Sequence, residues 1–182
     1  MAKPPLKISP LQHVATPRLA TGEVGVTLSH RLCTSLTQVQ SWPGTTEAAK
    51  KAIDRLAKED TLVMPTGPGR WLIDSENEGM EAVLRKALPP KNAATTGLTH
   101  ARVVINVSGK KAEWVLASGI ALDFSLSAFP VTETRLSHHH EIGLTIHRLG
   151  EESFDLYVFT SFARGFWHWI ERAGQEVGLR VD

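Results

Sequence analysis

The chain has 182 residues, with 20 lysines and arginines against 19 aspartates and glutamates, so its formal net charge is +1 and no large single-sign field favours nucleic acid as a main partner. Hydrophobic residues make up 42% and charged residues 21%, which excludes a disordered chain and supplies one compact unit, while the length excludes two large domains. The single cysteine, Cys33, cannot close an internal disulfide, no apolar run follows the first lysines, and no stretch approaches the roughly 18 apolar residues of a membrane span, so the expected location is the cytoplasm.

Residues 1–22 carry Pro4, Pro5, Pro10 and Pro17 with little periodicity and predict an extended N-terminal arm of the kind that lies along a neighbour. Partial alternation from Val24 to Val39 predicts two strands. After the Trp42-Pro43-Gly44 turn, Ala49, Ala52, Ile53, Leu56 and Ala57 recur at helical spacing opposite Lys50, Lys51, Asp54, Arg55 and Lys58. Thr61–Met64 and Arg70–Asp74 read as a hairpin around Gly67-Pro68-Gly69. Ser75 and Glu78 have capping-box spacing ahead of a helix with Met80, Val83, Leu84, Ala87 and Leu88 on one face, which Pro89-Pro90 ends.

Residues 91–96 read as a polar loop; Ala101–Val107 predicts a strand, and Ala112, Val115 and Leu116 a helix that Gly119 closes. Strands are expected over Val131–Leu136, Ile142–Arg148 and Phe154–Phe159, the last two joined by a Gly150–Ser153 turn. A final helix from Phe162 to about Val177 carries a stripe of Phe162, Phe166, Trp169, Ile170, Ala173 and Val177. A weak internal repeat, clearest between Arg70–Ser75 and Phe154–Ser161, each followed by a helix, predicts an α+β fold. Its two related modules of antiparallel strands covered by helices occupy residues 23–90 and 97–182 and make one compact unit overall.

The chemistry-bearing residues are sparse. His138, His139 and His140 have imidazoles that suit zinc, nickel or copper, but no further ligand stands at a useful spacing, and exposed histidines of a turn are the stronger reading. Gly67-Pro68-Gly69 feeds a strand, unlike a phosphate loop, and Cys33 has no partner histidine or acid nearby in sequence. Asp123, Glu133 and Asp155 lie near apolar segments without forming an acid–base pair. Trp167 falls about a quarter turn off the core stripe and Trp114 on the flank of its helix, so both are expected to be partly exposed, either as interface tryptophans or as caps over a core edge or a loop. No catalytic, cofactor-binding or metal-ligating residue is nominated.

Leu98-Thr99-His100-Ala101-Arg102, Ser108-Gly109-Lys110-Lys111-Ala112, Val115–Gly119, Leu122-Asp123, Ala128-Phe129-Pro130 and Ser161–Trp169 follow in an order and spacing that resembles the gamma subunits of heterotetrameric sarcosine oxidases. Gly67–Leu72 and Ser9-Pro10-Leu11 extend the resemblance over nearly the whole chain. It departs at Ile120-Ala121, where the family commonly has Cys-Pro, so the loop there is expected to differ.

The resemblance implies the fold of the folate-binding aminomethyltransferase superfamily. It also implies a role inside a complex whose alpha, beta and delta subunits hold FAD, FMN, NAD and tetrahydrofolate. The implied activity of the assembly is oxidative demethylation of sarcosine or a related N-methyl amino acid, with the one-carbon unit passing to tetrahydrofolate and electrons to oxygen. This chain would then be a non-catalytic assembly subunit with Trp114, Trp167, Pro4, Pro5 and Pro10 at its interface. A stand-alone folate-binding aminomethyltransferase-like protein is the alternative, against which the length speaks; a regulatory binding module is a third.

Overall fold

Strands and helices alternate along the chain much as the periodicity predicts. The computed structural model describes residues 8–18 and 22–182. In chain order the elements are β1 (Val26–Leu32), β2 (Ser35–Ser41), α1 (Thr46–Leu56), β3 (Thr61–Gly67), β4 (Arg70–Ser75), α2 (Met80–Ala87) and β5 (Ala93–Gly97). They continue with β6 (Arg102–Ser108), α3 (Ala112–Ala117), β7 (Thr134–His139), β8 (Ile142–Gly150), β9 (Ser153–Phe159), α4 (Ala163–Gln175) and β10 (Leu179–Val181). No helix among the described residues is long and apolar enough to cross a membrane.

The described residues form two units, one of residues 33–99 and one that joins those before residue 33 to residues 100–182. The smaller runs β2-α1-β3-β4-α2-β5 with sheet order β3-β4-β2-β5, all pairs antiparallel, which is the split βαββαβ arrangement. Gly67 and Gly69, at φ +149° and +63°, take the backbone through conformations that favour glycine and so close the β3–β4 reversal around Pro68. Val39, Trp71 and Ile73 project from this sheet onto Ala49 and Ile53 of α1 and Met80 and Leu84 of α2. The outer face of α1 is polar, with Lys50 and Asp54 paired at 2.6 Å one turn apart.

The larger unit repeats that order with β6, α3, β8, β9, α4 and β10, and adds two strands. β1 lies between β6 and β10, antiparallel to the first and parallel to the second, and β7 lies outside β8, giving the order β10-β1-β6-β9-β8-β7. Strand parity sends Val103, Ile105 and Val107, Phe154, Leu156 and Val158, and Leu144 and Ile146 into one core with Val115 and Leu116 of α3 and Phe166, Trp167 and Ile170 of α4. The α+β class and the two related modules are thus as expected.

The boundaries 23–90 and 97–182 are corrected at the first strand. Leu28 pairs with Val107 and Leu32 with Val103, so β1 belongs to the sheet of the C-terminal half. Local alternation reports a strand but not its distant partner. The polar loop expected over 91–96 is instead mostly strand, because Ala93–Gly97 pairs with β2. Ser75 does not cap α2: it ends β4, its Oγ accepts from the Asn77 N–H at 3.2 Å, and the helix begins at Met80 after Asn77 Oδ1 accepts from the Gly79 N–H.

The N-terminal segment is no free arm over its described part. Residues 10–14 turn, Leu11 is fully buried in the larger core, and Arg164 Nε of α4 donates to the Pro10 carbonyl at 3.1 Å. Arg18 exchanges backbone hydrogen bonds with Val181 and pairs with Glu171. Pro4 and Pro5 lie outside the described residues.

Candidate functional site

Three polar arrangements stand out, all in the larger unit. The first begins at the β7–β8 turn. His139 pairs with Ile142, a register that carries it to the helix-covered side of the sheet, where it is 6% exposed. The exposed turn histidine expected from sequence is therefore corrected at this position, whereas His138 and His140 are exposed.

The His139 ring stacks on Trp169 of α4 with centroids 3.9 Å apart, and Phe166 meets it edge-on at 5.8 Å. Its Nδ1 lies 2.8 Å from the Gly119 carbonyl, which can only accept, so Nδ1 carries the proton and Nε2 keeps its lone pair. Burial holds the imidazole below its ordinary range, and neighbouring His140 adds to that, against the opposing pull of the Gly119 hydrogen bond. Gly119 is needed here because a Cβ would lie 2.4 Å from the Trp169 ring. Beside this stack a cleft of about 930 Å³ opens, lined by His140, His168, Trp169, Arg172 and Glu176 among others.

The second arrangement occupies the other face of the same sheet. Register places Ser29, Asn106, Asp155, His147 and Thr134 in one row across five strands. Asp155 is 5% exposed; its Oδ2 accepts from Arg31 at 3.1 Å and its Oδ1 from Asn106 at 2.8 Å. Arg31 also donates to the Tyr157 hydroxyl at 3.3 Å, and His147 Nδ1 lies 3.1 Å from Thr134 Oγ1. Burial holds His147 below its ordinary range despite the raising influence of Asp155. Both carboxylate oxygens of Asp155 are already bonded, so the row satisfies buried polarity rather than offering a free base.

The third is Arg148, whose side chain is fully buried on β8. It donates to the carbonyls of Phe124 at 2.6 Å, Phe129 at 2.9 Å, Gly150 at 3.2 Å and Glu151, and to Glu113 Oε1 at 2.5 Å. Its guanidinium also lies over the Phe154 ring, 4.8 Å from the centroid. One cation thereby fixes the long α3–β7 connection that contains Ile120-Ala121.

Of the nominated interface residues, Trp114 is 49% exposed, as expected. Trp167 is not: it is fully buried in the core, edge-on to His30 with centroids 6.0 Å apart, because the N-terminal turn covers the flank of α4 that sequence left open. Phe162 of the expected stripe is exposed instead, ahead of the helix start. Pro10 is half-buried with its carbonyl taken by Arg164.

Asp123 caps its own turn through the Ser125 N–H at 2.9 Å, which lowers its pKa, and Glu133 pairs with Arg135. No group of three or more His, Cys, Asp or Glu among the described residues could hold a metal ion. The cleft was missed by sequence reasoning, although Gly165, His168, Arg172 and Glu176 recur at helical spacing on one side of α4.

The GCVT N-terminal domain family model matches residues 55–181. No curated protein matches the sequence. Among solved structures, a chain of the heterotetrameric sarcosine oxidase from Corynebacterium sp. U-96, in complex with pyrrole 2-carboxylate, is 25% identical over 93% of this chain and 95% of that one, with a TM-score of 0.82. The glycine cleavage system aminomethyltransferase T from Bartonella henselae shares the fold at 15% identity and a TM-score of 0.57. That likeness covers 81% of this chain but 45% of that enzyme, so this chain spans less than half the enzyme's length. With a family model over more than two thirds of its residues, the chain belongs to the GCVT N-terminal domain family.

Proposed function

We propose that this chain is the gamma subunit of a heterotetrameric sarcosine oxidase-type complex and serves it as a structural, non-catalytic assembly subunit. The observation that carries this reading is the end-to-end likeness to a chain of such a complex, 93% of one against 95% of the other at a TM-score of 0.82. Its polar interior supports the same reading: Asp155 and Arg148 already spend their bonds on neighbours inside this chain.

In this proposal the alpha, beta and delta partners hold FAD, FMN, NAD and tetrahydrofolate. The assembly removes the methyl group of sarcosine or a related N-methyl amino acid oxidatively, in the cytoplasm, passing the one-carbon unit to tetrahydrofolate and electrons to oxygen. The exposed Trp114 stands at a contact with a partner.

The test is gentle purification of the tagged chain from its native host, with the co-purifying polypeptides and the visible absorption spectrum recorded. Three further chains and a yellow flavin spectrum are expected. A colourless single species that binds a folate on titration would replace this reading with a stand-alone folate-binding aminomethyltransferase-like protein.

A further inference from the structure

The two sheets end in the edge strands β3, β5, β7 and β10, and β5 differs from the rest. β3 carries Pro65 with a register irregularity beside it. β7 carries Arg135, and its Ser137 and His139 side chains bond to the carbonyls of Ala121 and Gly119 in the preceding connection. β10 has three residues and takes Arg18 as an antiparallel bridge at Val181. β5, with the sequence Ala-Ala-Thr-Thr-Gly, has no charge, no proline and an unbroken register. An edge of that kind is a template for another strand.

The ladder with β2 fixes where the backbone groups of β5 point. Trp42 N–H donates to the Asn92 carbonyl at 3.1 Å and Leu98 N–H to the Leu36 carbonyl at 2.7 Å. Ala94 and Thr96 therefore turn their backbone groups toward β2, and Ala93, Thr95 and Gly97 turn theirs outward. Among the described residues, no backbone bond reaches the outward groups of Thr95 and Gly97, and the buried Thr95 hydroxyl has no partner. Thr96 and Gly97 are exposed.

We propose that β5 is a self-pairing edge, through which two copies of this chain join their smaller sheets into one continuous sheet. Antiparallel pairing about a two-fold axis at Thr95 sets Thr95 opposite Thr95 and Ala93 opposite Gly97 of the other copy. The outward backbone groups are complementary in that register, the side chains are small, and the two Thr95 hydroxyls face each other across the axis. The inference goes beyond the assembly role and does not depend on it.

The helix above this edge favours a second copy as the occupant. α2 packs on β2 and β5 alike, so pairing brings the two α2 helices to about 10 Å apart, a helix-packing distance. The side of α2 toward the edge carries Glu81, whose carboxylate lies against Gly97, and Arg85 one turn on. Antiparallel pairing reverses one α2 against the other, so the acidic first turn of each faces the basic last turn of its copy.

Sedimentation of the full chain from about 1 µM to about 1 mM reads the proposal. The mass is expected to rise from that of one 20.0 kDa chain toward twice that value, with a Kd of about 10–100 µM because the interface is small. Thr95→Pro deletes an outward N–H while keeping the bonds to β2, and is expected to weaken dimerisation about tenfold. Arg85→Glu is expected to do the same by setting acid against acid, and adding Glu81→Arg to it to restore the wild-type Kd within about threefold. A mixture of the Ala94→Cys and Thr96→Cys chains is expected to form an interchain disulfide that neither forms alone, since those positions oppose each other in this register. Should Thr95→Pro unfold by circular dichroism, the charge exchange and the disulfide decide.

A chain that stays at 20.0 kDa throughout would overturn the proposal, as would a dimer that Thr95→Pro and Arg85→Glu leave intact. Loss of other polypeptides from the co-expressed Thr95→Pro complex, with a monomeric free wild-type chain, would also overturn it and assign the edge to a partner's strand.

Discussion

The smaller and the larger unit run the same βαββαβ order, yet they differ in what is added to it. The smaller has four strands, two helices and a core of Val39, Ile53, Trp71, Ile73 and Leu84 with a few neighbours. The larger inserts β1 between the paired strands, appends β7 at the outer edge, and lengthens the α3–β7 connection that Arg148 holds. Its distinctive polar contacts come from those additions: Arg31 on β1 reaches Asp155, Thr134 on β7 meets His147, and His139 on β7 stacks on Trp169. The repeated frame supplies packing, and the insertions supply the features that set this chain apart.

The largest expected effects break the core of the larger unit and the hold on its added connection. Arg148→Ala strands four backbone carbonyls and is expected to cost about 3–5 kcal/mol in urea unfolding, as is Trp167→Ala through the cavity it leaves; a loss under about 1 kcal/mol for either would show that the core packs differently. Trp167→Ala therefore acts through folding and is no test of an interface. Removing residues 1–18 also strips Leu11 and Ala15 from the core, so any loss of assembly in that variant reports stability first.

Gly119→Ala drives a methyl group into Trp169 and is expected to cost about 1–3 kcal/mol, with loss of the near-ultraviolet signal of the stacked indole. The buried histidines give the next effect. Because burial lowers the folded values of His139 and His147 below the ordinary 6.5, the unfolded chain binds more protons as pH falls through that range. Stability should thus be flat above neutrality and decline below 6.5, and His147→Gln should flatten part of that slope between about pH 7.5 and 5.5 in urea midpoints; an unchanged slope would remove His147 from the account. Smallest of all, Gly165→Ala should raise stability by about 0.5–1 kcal/mol and Trp114→Ala should leave it within about 0.5 kcal/mol, in contrast to Gly119 and Trp167.

Periodicity made α1, the β3–β4 and β8–β9 hairpins and α4 legible, because each buries one face on a neighbour and its pattern follows. What stayed hidden depends on distant pairing. β5, with the sequence Ala-Ala-Thr-Thr-Gly, has one fully buried side chain and reads as a loop until β2 supplies its hydrogen bonds. β10 has three residues, too few for a pattern. Trp167 looked exposed because the stripe of α4 was drawn for one neighbour, whereas the core of the larger unit also receives Leu11 from the N-terminal turn. His139 required the exact end of β7, since one residue of register decides its face. A fully buried arginine such as Arg148 leaves no mark in a hydropathy pattern, and its five acceptors come from three separate chain segments.

The assembly role is tested most directly by co-expressing the proposed partner chains with and without this one and comparing the mass and flavin absorbance of the product. The account predicts that the complete set yields one species of four chains, and that omitting this chain leaves flavin-bearing partners that no longer form that species. An identical assembly formed without it would contradict the account.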